Sequence, residues 1–579
     1  RDSVVIVGEL TDEQRRMAVD TGLEDRILDA ILGEEPPELV LISGSAGGGK
    51  SLAIANLLDA VKDAWGVWIE DATHAESPRQ DQVDRLERFF EPFADGAGSH
   101  AGSPHLIAMN TGMVIRFFAC LRRKAPGGKH RFSELEAVLK ARLGLAGGDP
   151  RAADELPLSR RVLVINLDHR PTAGGDRSLF AAMLRALDPS DPAGVMAGAP
   201  RCATCQVRAW CFVRTNAEVI SSEPTRSVLD SAADRLALER ARPLPPRALW
   251  DLAAALVTGG EPFPEPDPCD RIAQLARADD GQLVVWDRLI NNGAFITDPA
   301  PSWLAARLAE LDPSYAPSEP VHELLAAAGI DAASDARALR ESLGSTEPAS
   351  REAVDVAAQA LAGCLVERAG AGRSLVRAAF LAGSVPLPGE LDATFTRALD
   401  EYGLLRAGRP TPALDEFLDL VAAALVRGFG EEAGLEHFFH IEALNPQRRV
   451  TMLVRADLRS ERELLRIIDD PVLAANPRGA GLAGYRPLAI TVRIADVTMP
   501  VGLPLFRVLA QAASGSLPST ADLERFFALR RAVEAVGRIA ATDRQRPLLI
   551  SDQRAGRRFR AALQPDVRGQ DRLVVREVV

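Results

Sequence analysis

Leu39-Val40-Leu41-Ile42-Ser43-Gly44-Ser45-Ala46-Gly47-Gly48-Gly49-Lys50-Ser51 is the stretch on which the fold turns. Four apolar residues of β character run into a glycine cluster closed by Lys-Ser, and a helical pattern from Ser51 to about Ala64 follows. This matches G-x-x-x-x-G-K-[ST] between a strand and a helix, the context a P-loop requires. Gly44, Gly47, Gly48 and Gly49 let the backbone bend so that successive N–H groups point at phosphate oxygens, and the helix N-terminus adds its positive dipole end. Lys50 is expected to bridge the β- and γ-phosphates of ATP, and the Ser51 hydroxyl to ligate Mg²⁺.

Working outward, a helical pattern spans Thr11 to Leu32 and stops at Pro36-Pro37. Further strands are expected at Val67–Ile69, His105–Met109 and Val162–Ile165, with helices at Asp84–Phe93 and Ser133–Leu143. Strands alternating with helices predict an α/β P-loop NTPase domain, a parallel sheet with helices on both faces, over residues 1–186. A Pro/Gly-rich stretch with clustered cysteines marks a Cys-rich metal-binding insertion at 187–283. A helical, lid-like domain is expected at 284–432. Residues 433–579 return to strands (Val450–Val454, Leu488–Ile494, Leu548–Ser551, Leu573–Val578) with helices at Leu505–Ala513 and Asp522–Ile539, a C-terminal mixed α/β or α+β domain.

The 579 residues are 47% apolar and 26% charged, the balance of a globular multidomain chain, and the formal net charge is −12. Of 68 Lys and Arg only five are Lys (Lys50, Lys62, Lys124, Lys129, Lys140), so an arginine patch carries less weight for nucleic acid here than usual. An acidic chain has no broad DNA footprint, and any DNA contact must be local. No apolar run reaches the roughly 18 residues of a membrane span, and no signal-peptide core is present, so a cytoplasmic address without membrane contact is expected. The chain opens at Arg1 without Met, so a start further upstream is expected.

Hydrolysis needs an acid for Mg²⁺ and a group that positions water. Glu70-Asp71 ends the second strand, Asn110 the third and Asn166-Leu167-Asp168 the fourth; none is an apolar strand closed by Asp-Glu. Asp71 or Asp168 would suit the metal contact and Asn110 and Asn166 polar sensing, each against the alternative of a simple strand cap. Arg373, with Arg368 and Arg377 beside it, is a candidate to neutralise γ-phosphate charge, from this chain or from a neighbouring copy in a homo-oligomer; a solvated face is the competing reading. Arg530, Arg531, Arg538, Arg554, Arg557, Arg558 and Arg560 offer a local phosphate-binding face or an ordinary charged surface. Cys202-Ala203-Thr204-Cys205 with Cys211 gives C-x₂-C-x₅-C, and Cys269 is the natural fourth ligand, with His169 second, for a structural Zn²⁺. No nucleophile elbow, H-E-x-x-H or spaced-carboxylate nuclease pattern is present.

The P-loop, Glu70-Asp71-Ala72-Thr73 with Ser77-Pro78, Ile107-Ala108-Met109-Asn110-Thr111-Gly112, Val164-Ile165-Asn166-Leu167, the cysteine group closing at Asn216, and Asp267-Pro268-Cys269 come in one order. In this the chain resembles the DNA phosphorothioation-dependent restriction proteins of the DptF type and related defence-associated P-loop ATPases. The resemblance implies a cytoplasmic ATPase that acts with partner proteins, one of them helicase-like, to restrict DNA lacking a backbone sulfur, with Lys50 and Ser51 on the nucleotide and the cysteines on a metal. A different class, a STAND-like signalling or scaffold protein that binds ATP with little turnover, fits the same domain order.

Overall fold

A strand buried on both faces must be apolar at every position, and β1 (Leu39–Ser43) meets that demand, with all five residues buried. The computed structural model describes residues 12–578 except 46, 73–81, 99–101, 126, 128, 176, 199–201, 203, 262–267, 279–280, 297–301, 344–347, 363–367, 388–392, 405–410, 434, 442–449, 462, 553 and 566–569. Thr11, Ala46, Thr73, Ser77-Pro78, Ala203 and Asp267 of the sequence reading lie outside the described residues. β1 joins β2 (Trp68–Ile69), β3 (His105–Ala108) and β4 (Val162–Asn166) in a parallel sheet of order β2-β3-β1-β4. The expected sheet is thus present.

Residue alternation splits the strands between two cores. Leu39, Leu41, Ile107, Val162 and Val164 pack with Val114, Phe117 and Phe118 of the helix Thr111–Lys124 and with Leu135, Val138 and Leu139 of Ser133–Arg142. Val40, Ile42, Leu106, Ala108, Leu163 and Ile165 pack with Ile54, Leu57 and Leu58 of Lys50–Ala60 and with Leu23 and Ile27 of Leu23–Leu32. Each such Val, Leu, Ile or Phe side chain contributes about 1.5–3 kcal/mol by leaving water. The N-terminal helical stretch is divided, Asp12–Met17 and Leu23–Leu32, because Gly22 adopts φ 64° and its N–H donates to Asp20 Oδ1.

The chain divides into two compact units, one of residues 1–237, 242–390 and 475–486, the other of 238–241, 391–474 and 487–579. Besides the parallel sheet, the first unit holds a helical region in which Asn216, fully buried, donates through Nδ2 to Val257 O and Arg288 O and accepts from Ile290 N–H. Helices fill the described residues from Gly281 to Leu381 as expected. The segment 475–486 returns to the parallel sheet. Asn476 caps the helix Pro477–Ala483 by accepting from Gly479 N–H and donates through Nδ2 to Val164 O at 2.8 Å.

In the second unit the strands are β5 (Glu431–Ala433), β6 (Glu436–His440), β7 (Val450–Arg455), β8 (Leu465–Ile467), β9 (Ala489–Ile494), β10 (Val497–Gly502), β11 (Leu548–Asp552), β12 (Arg557–Pro565) and β13 (Asp571–Val578). They form two antiparallel sheets, β10-β9-β8 and β13-β12-β11-β7-β6-β5. Between the two expected alternatives the C-terminal part is therefore α+β, since every pairing is antiparallel. The long predicted helix Asp522–Ile539 is instead Thr520–Arg525 and Phe527–Ala540, interrupted at Phe526. Among the described residues no helix is long and apolar enough to cross a membrane.

Gly479 lies against the β4 backbone so closely that an added Cβ would fall far inside contact distance of Val164 O and press on the Asn476 amide. Gly479→Ala should therefore destabilise the first unit by about 1–3 kcal/mol or more through overpacking. A lowered thermal or urea midpoint checks this, and an unchanged midpoint would contradict the packing.

Candidate functional site

The carboxyl ends of the central strands converge on the loop Gly44–Gly49. In a parallel sheet this is where side chains from separate strands can meet one ligand. Main-chain bonds fix the ends: Met109 N–H donates to Ile42 O, and Ala72 N–H to Ala108 O. The loop itself needs glycine. Gly47 and Gly49 adopt φ 77° and 89°, and Gly49 is the N-cap of Lys50–Ala60. An added Cβ on Gly44 would lie 3.3 Å from Leu167 Cβ, and one on Gly48 would lie 3.1 Å from Ser45 O. The result is a cradle of backbone at a helix N-terminus, suited to an anion.

Lys50 Nζ donates to Gly44 O at 2.9 Å and to Ser45 O at 2.8 Å, so its ammonium is folded back onto the loop's own carbonyls. Burial pulls its pKa below the ordinary lysine value, while Asp168 and then Asp71 pull it back up. Both acids proposed from sequence thus lie within electrostatic reach of Lys50. Asp168 goes further: its carboxylate accepts from Ser45 N–H, at 2.9 Å to each oxygen, and from Ser45 Oγ at 2.7 Å. Neighbouring Glu70 is a different case, its pKa raised by burial.

Asn110 caps the helix Thr111–Lys124 by accepting from Met113 N–H at 2.8 Å. Asn166 accepts from Asp168 N–H and, through Nδ2, meets His169 Nε2 at 3.2 Å. The carbonyl oxygens of both are thus engaged by nearby backbone N–H groups. Ser51 opens the helix beside Lys50, half-buried.

Two arginines absent from the sequence reading stand at the loop. Arg170, just past the 3-10 turn Leu167–His169, has Nη2 3.8 Å from where a Cβ on Gly49 would sit. Arg247, exposed at the start of the helix Pro246–Thr258, has its Cβ 3.7 Å from the equivalent point on Gly47. The strand-end rule points to Arg170, which follows β4 by four residues; nothing in the sequence signals Arg247.

Arg373 lies on the helix Arg368–Leu381 and, among the described residues, makes no hydrogen bond or ion pair with the loop. On the same helix Arg377 pairs with Asp312 and stacks over Phe295, its guanidinium 5.1 Å from the ring centre. Toward the C-terminus, Arg557 pairs with Glu577, Arg560 with Glu436, Arg530 with Glu534 and Arg538 with Asp496. These arginines have local acids for partners, as an ordinary charged surface does.

Cys202, Cys205, Cys211 and Cys269 line one cavity of about 20 Å³ with Val207, Arg208, Arg214 and Ile272. That is room for one ion or one water. None of the four is joined in a disulfide. Cys211, the N-cap of Phe212–Ser221, has its thiol pushed up to about 11 by burial, with the other three cysteines adding to the rise. Yet among the described residues no group of three or more His, Cys, Asp or Glu side chains already stands in metal-holding geometry. The lining shows that the four thiols converge on one cavity. His169 is engaged elsewhere, with Asn166 and, ring to ring at 5.6 Å, with Tyr485.

Comparison of the chain with protein-family models, with curated proteins and with solved structures finds no match.

Asp168 closes the Ser45 end of the loop, so Asp168→Ala should free the Ser45 amide. Amide hydrogen exchange over residues 44–49 should then speed up by roughly tenfold or more, as expected for the loss of charge-assisted bonds. Equal protection in the two proteins would show that the loop does not depend on this acid.

Proposed function

We propose that the chain is a P-loop ATPase: it binds MgATP on Gly44–Ser51 and hydrolyses it, as one component of an anti-phage DNA restriction system that controls DNA-processing partners. The observation that carries the nucleotide reading is the glycine cradle between a central parallel strand and the N-terminus of Lys50–Ala60, with Lys50 held over it. The restriction role, with its helicase-like partner and DNA, rests on the sequence resemblance alone.

Chemically, the backbone N–H groups of the loop receive the phosphates, and Lys50 exchanges its two carbonyl acceptors for phosphate oxygens. Mg²⁺, when bound, would offset charge between the phosphates; Ser51 and Asp71 are the residues to hold it. Asp168 keeps the loop's first turn in place until the nucleotide arrives. Asn110, with its oxygen committed to the helix cap, retains its Nδ2 as a donor toward the same strand end.

The same reading assigns Zn²⁺ to Cys202, Cys205, Cys211 and Cys269. Four thiols around a one-ion cavity are a donor set suited to tetrahedral zinc, and binding would draw them inward, clipping the loop 202–211 to the helix Pro268–Arg277.

A nucleotide-gated switch with little turnover is the second reading. It is favoured by strands that end in Asn110 and Asn166 rather than in an acid pair, and by a loop already closed by Asp168.

ATP turnover by the purified chain, with and without duplex DNA, tests these readings. We expect turnover that falls by about 10²-fold or more in Lys50→Ala and in Asp71→Ala. Tight ATP binding that depends on Lys50 but gives no turnover establishes the switch instead, and ATP binding unaffected by Lys50→Ala removes the nucleotide site. Elemental analysis should find one zinc per chain, lost in Cys205→Ser together with a lowered melting temperature; a metal-free chain with unchanged melting in Cys205→Ser refutes the clip.

A further inference from the structure

Arg170 is anchored at its main chain, where its N–H donates to Leu167 O and closes the turn after β4. Its side chain runs back toward Gly49, the N-cap of the helix that begins at Lys50. Unlike the paired arginines of the second unit, its guanidinium makes no hydrogen bond or ion pair among the described residues, and its Nε is wholly buried without a partner. Burial lowers its pKa from the usual arginine value, and the one acid that opposes this through space, Glu24, is instead hydrogen-bonded to Asn56 Nδ2 at 3.3 Å. Asp168 lies two residues away, but its carboxylate is turned to Ser45. A largely buried cation with no acid hydrogen-bonded or ion-paired to it among the described residues is unfavourable in the free protein. Such an arrangement belongs to sites where a ligand supplies the missing charge.

We propose that Arg170 is a second phosphate-binding cation, contributed by the same chain, that engages the phosphate groups of the bound nucleotide beside Lys50. This rests on the nucleotide reading above and deepens it. The chemistry favours phosphate over a protein carboxylate. The guanidinium adjoins the N-terminus of Lys50–Ala60, where loop N–H groups, the helix dipole and the Lys50 ammonium all draw an anion, and its planar fork takes two oxygens of one phosphate. Lys50 is a point charge held on the loop, whereas Arg170 approaches from the end of the neighbouring strand. The nucleotide's phosphates would be held from two sides, and the chain would need no arginine from another copy for this contact.

The contact also predicts an uncommon pairing of effects. Removing a structural arginine lowers the stability of the free protein; removing an unpaired buried cation does not. The test is calorimetric titration of the full chain with MgATP and MgADP, alongside melting without nucleotide, for wild type, Arg170→Met and Lys50→Ala. Arg170→Met keeps most of the side-chain length and removes the charge. We expect it to weaken MgATP binding by roughly 10- to 100-fold, the loss of charged hydrogen bonds, while its nucleotide-free melting temperature stays equal or rises. MgATP affinity within twofold of wild type overturns the proposal, as does a lowered nucleotide-free melting temperature with affinity retained, the signature of a structural residue. If Arg170→Met does not fold, Arg170→Gln is read by the same two outcomes. Lys50→Ala that loses ATP while Arg170→Met keeps it removes only the role of Arg170; Lys50→Ala that binds ATP as wild type does removes the nucleotide site itself.

Discussion

The parallel pairing of β1 between β3 and β4 is the constraint on which the rest of the first unit depends. Burial on both faces demands an unbroken apolar strand, and a parallel arrangement puts all four carboxyl ends on one edge. Backbone N–H groups, Lys50, Asp168 and Arg170 meet there although the last two follow Lys50 by more than a hundred residues. The glycines then matter for a second reason. They let the chain turn from β1 into the helix Lys50–Ala60 without side chains filling the space in front of the helix.

Charge placement separates the arginines of this chain better than charge abundance does. Arg557 and Arg560 sit on a sheet surface with Glu577 and Glu436 beside them, where water screens the charge and the pairs are worth little. Arg377 is half-buried and is matched by Asp312. Arg170 is the contrasting case, its Nε buried and, among the described residues, no acid hydrogen-bonded or ion-paired to its guanidinium. In a protein that uses arginine as its default cation, the informative property is the missing partner rather than the residue type.

Much of the fold was legible because it obeys one rule at a time. β1, β3 and β4 are short apolar runs bounded by Gly, Pro or polar residues, and their places match the sequence reading. β10 was not legible, because Pro500 lies within it; the strand tolerates proline as an edge of its three-stranded sheet. β12 was hidden by Arg557, Arg558 and Arg560, which read as a charged patch while their backbone pairs with β11 and β13. At the site, Lys50 and the four cysteines were legible from spacing. Arg170 and Arg247 were not, since neither belongs to a motif and only the folded chain brings them to Gly49 and Gly47. Arg373 shows the limit from the other side: its helix makes it a candidate lid arginine, but sequence carries no distance to the loop.

The helix Pro477–Ala483 gives β4 a history during synthesis. β4 is the last strand of its sheet among the described strands, and the Val164 carbonyl on it is satisfied by Asn476, 312 residues later in the chain. At roughly 5–20 residues per second, a ribosome needs about 15–60 s to make that partner. Throughout that interval the newborn chain carries an apolar strand whose outer edge lacks its natural cover, the form most prone to pair with another chain. Slow elongation or high expression lengthens or multiplies that exposure.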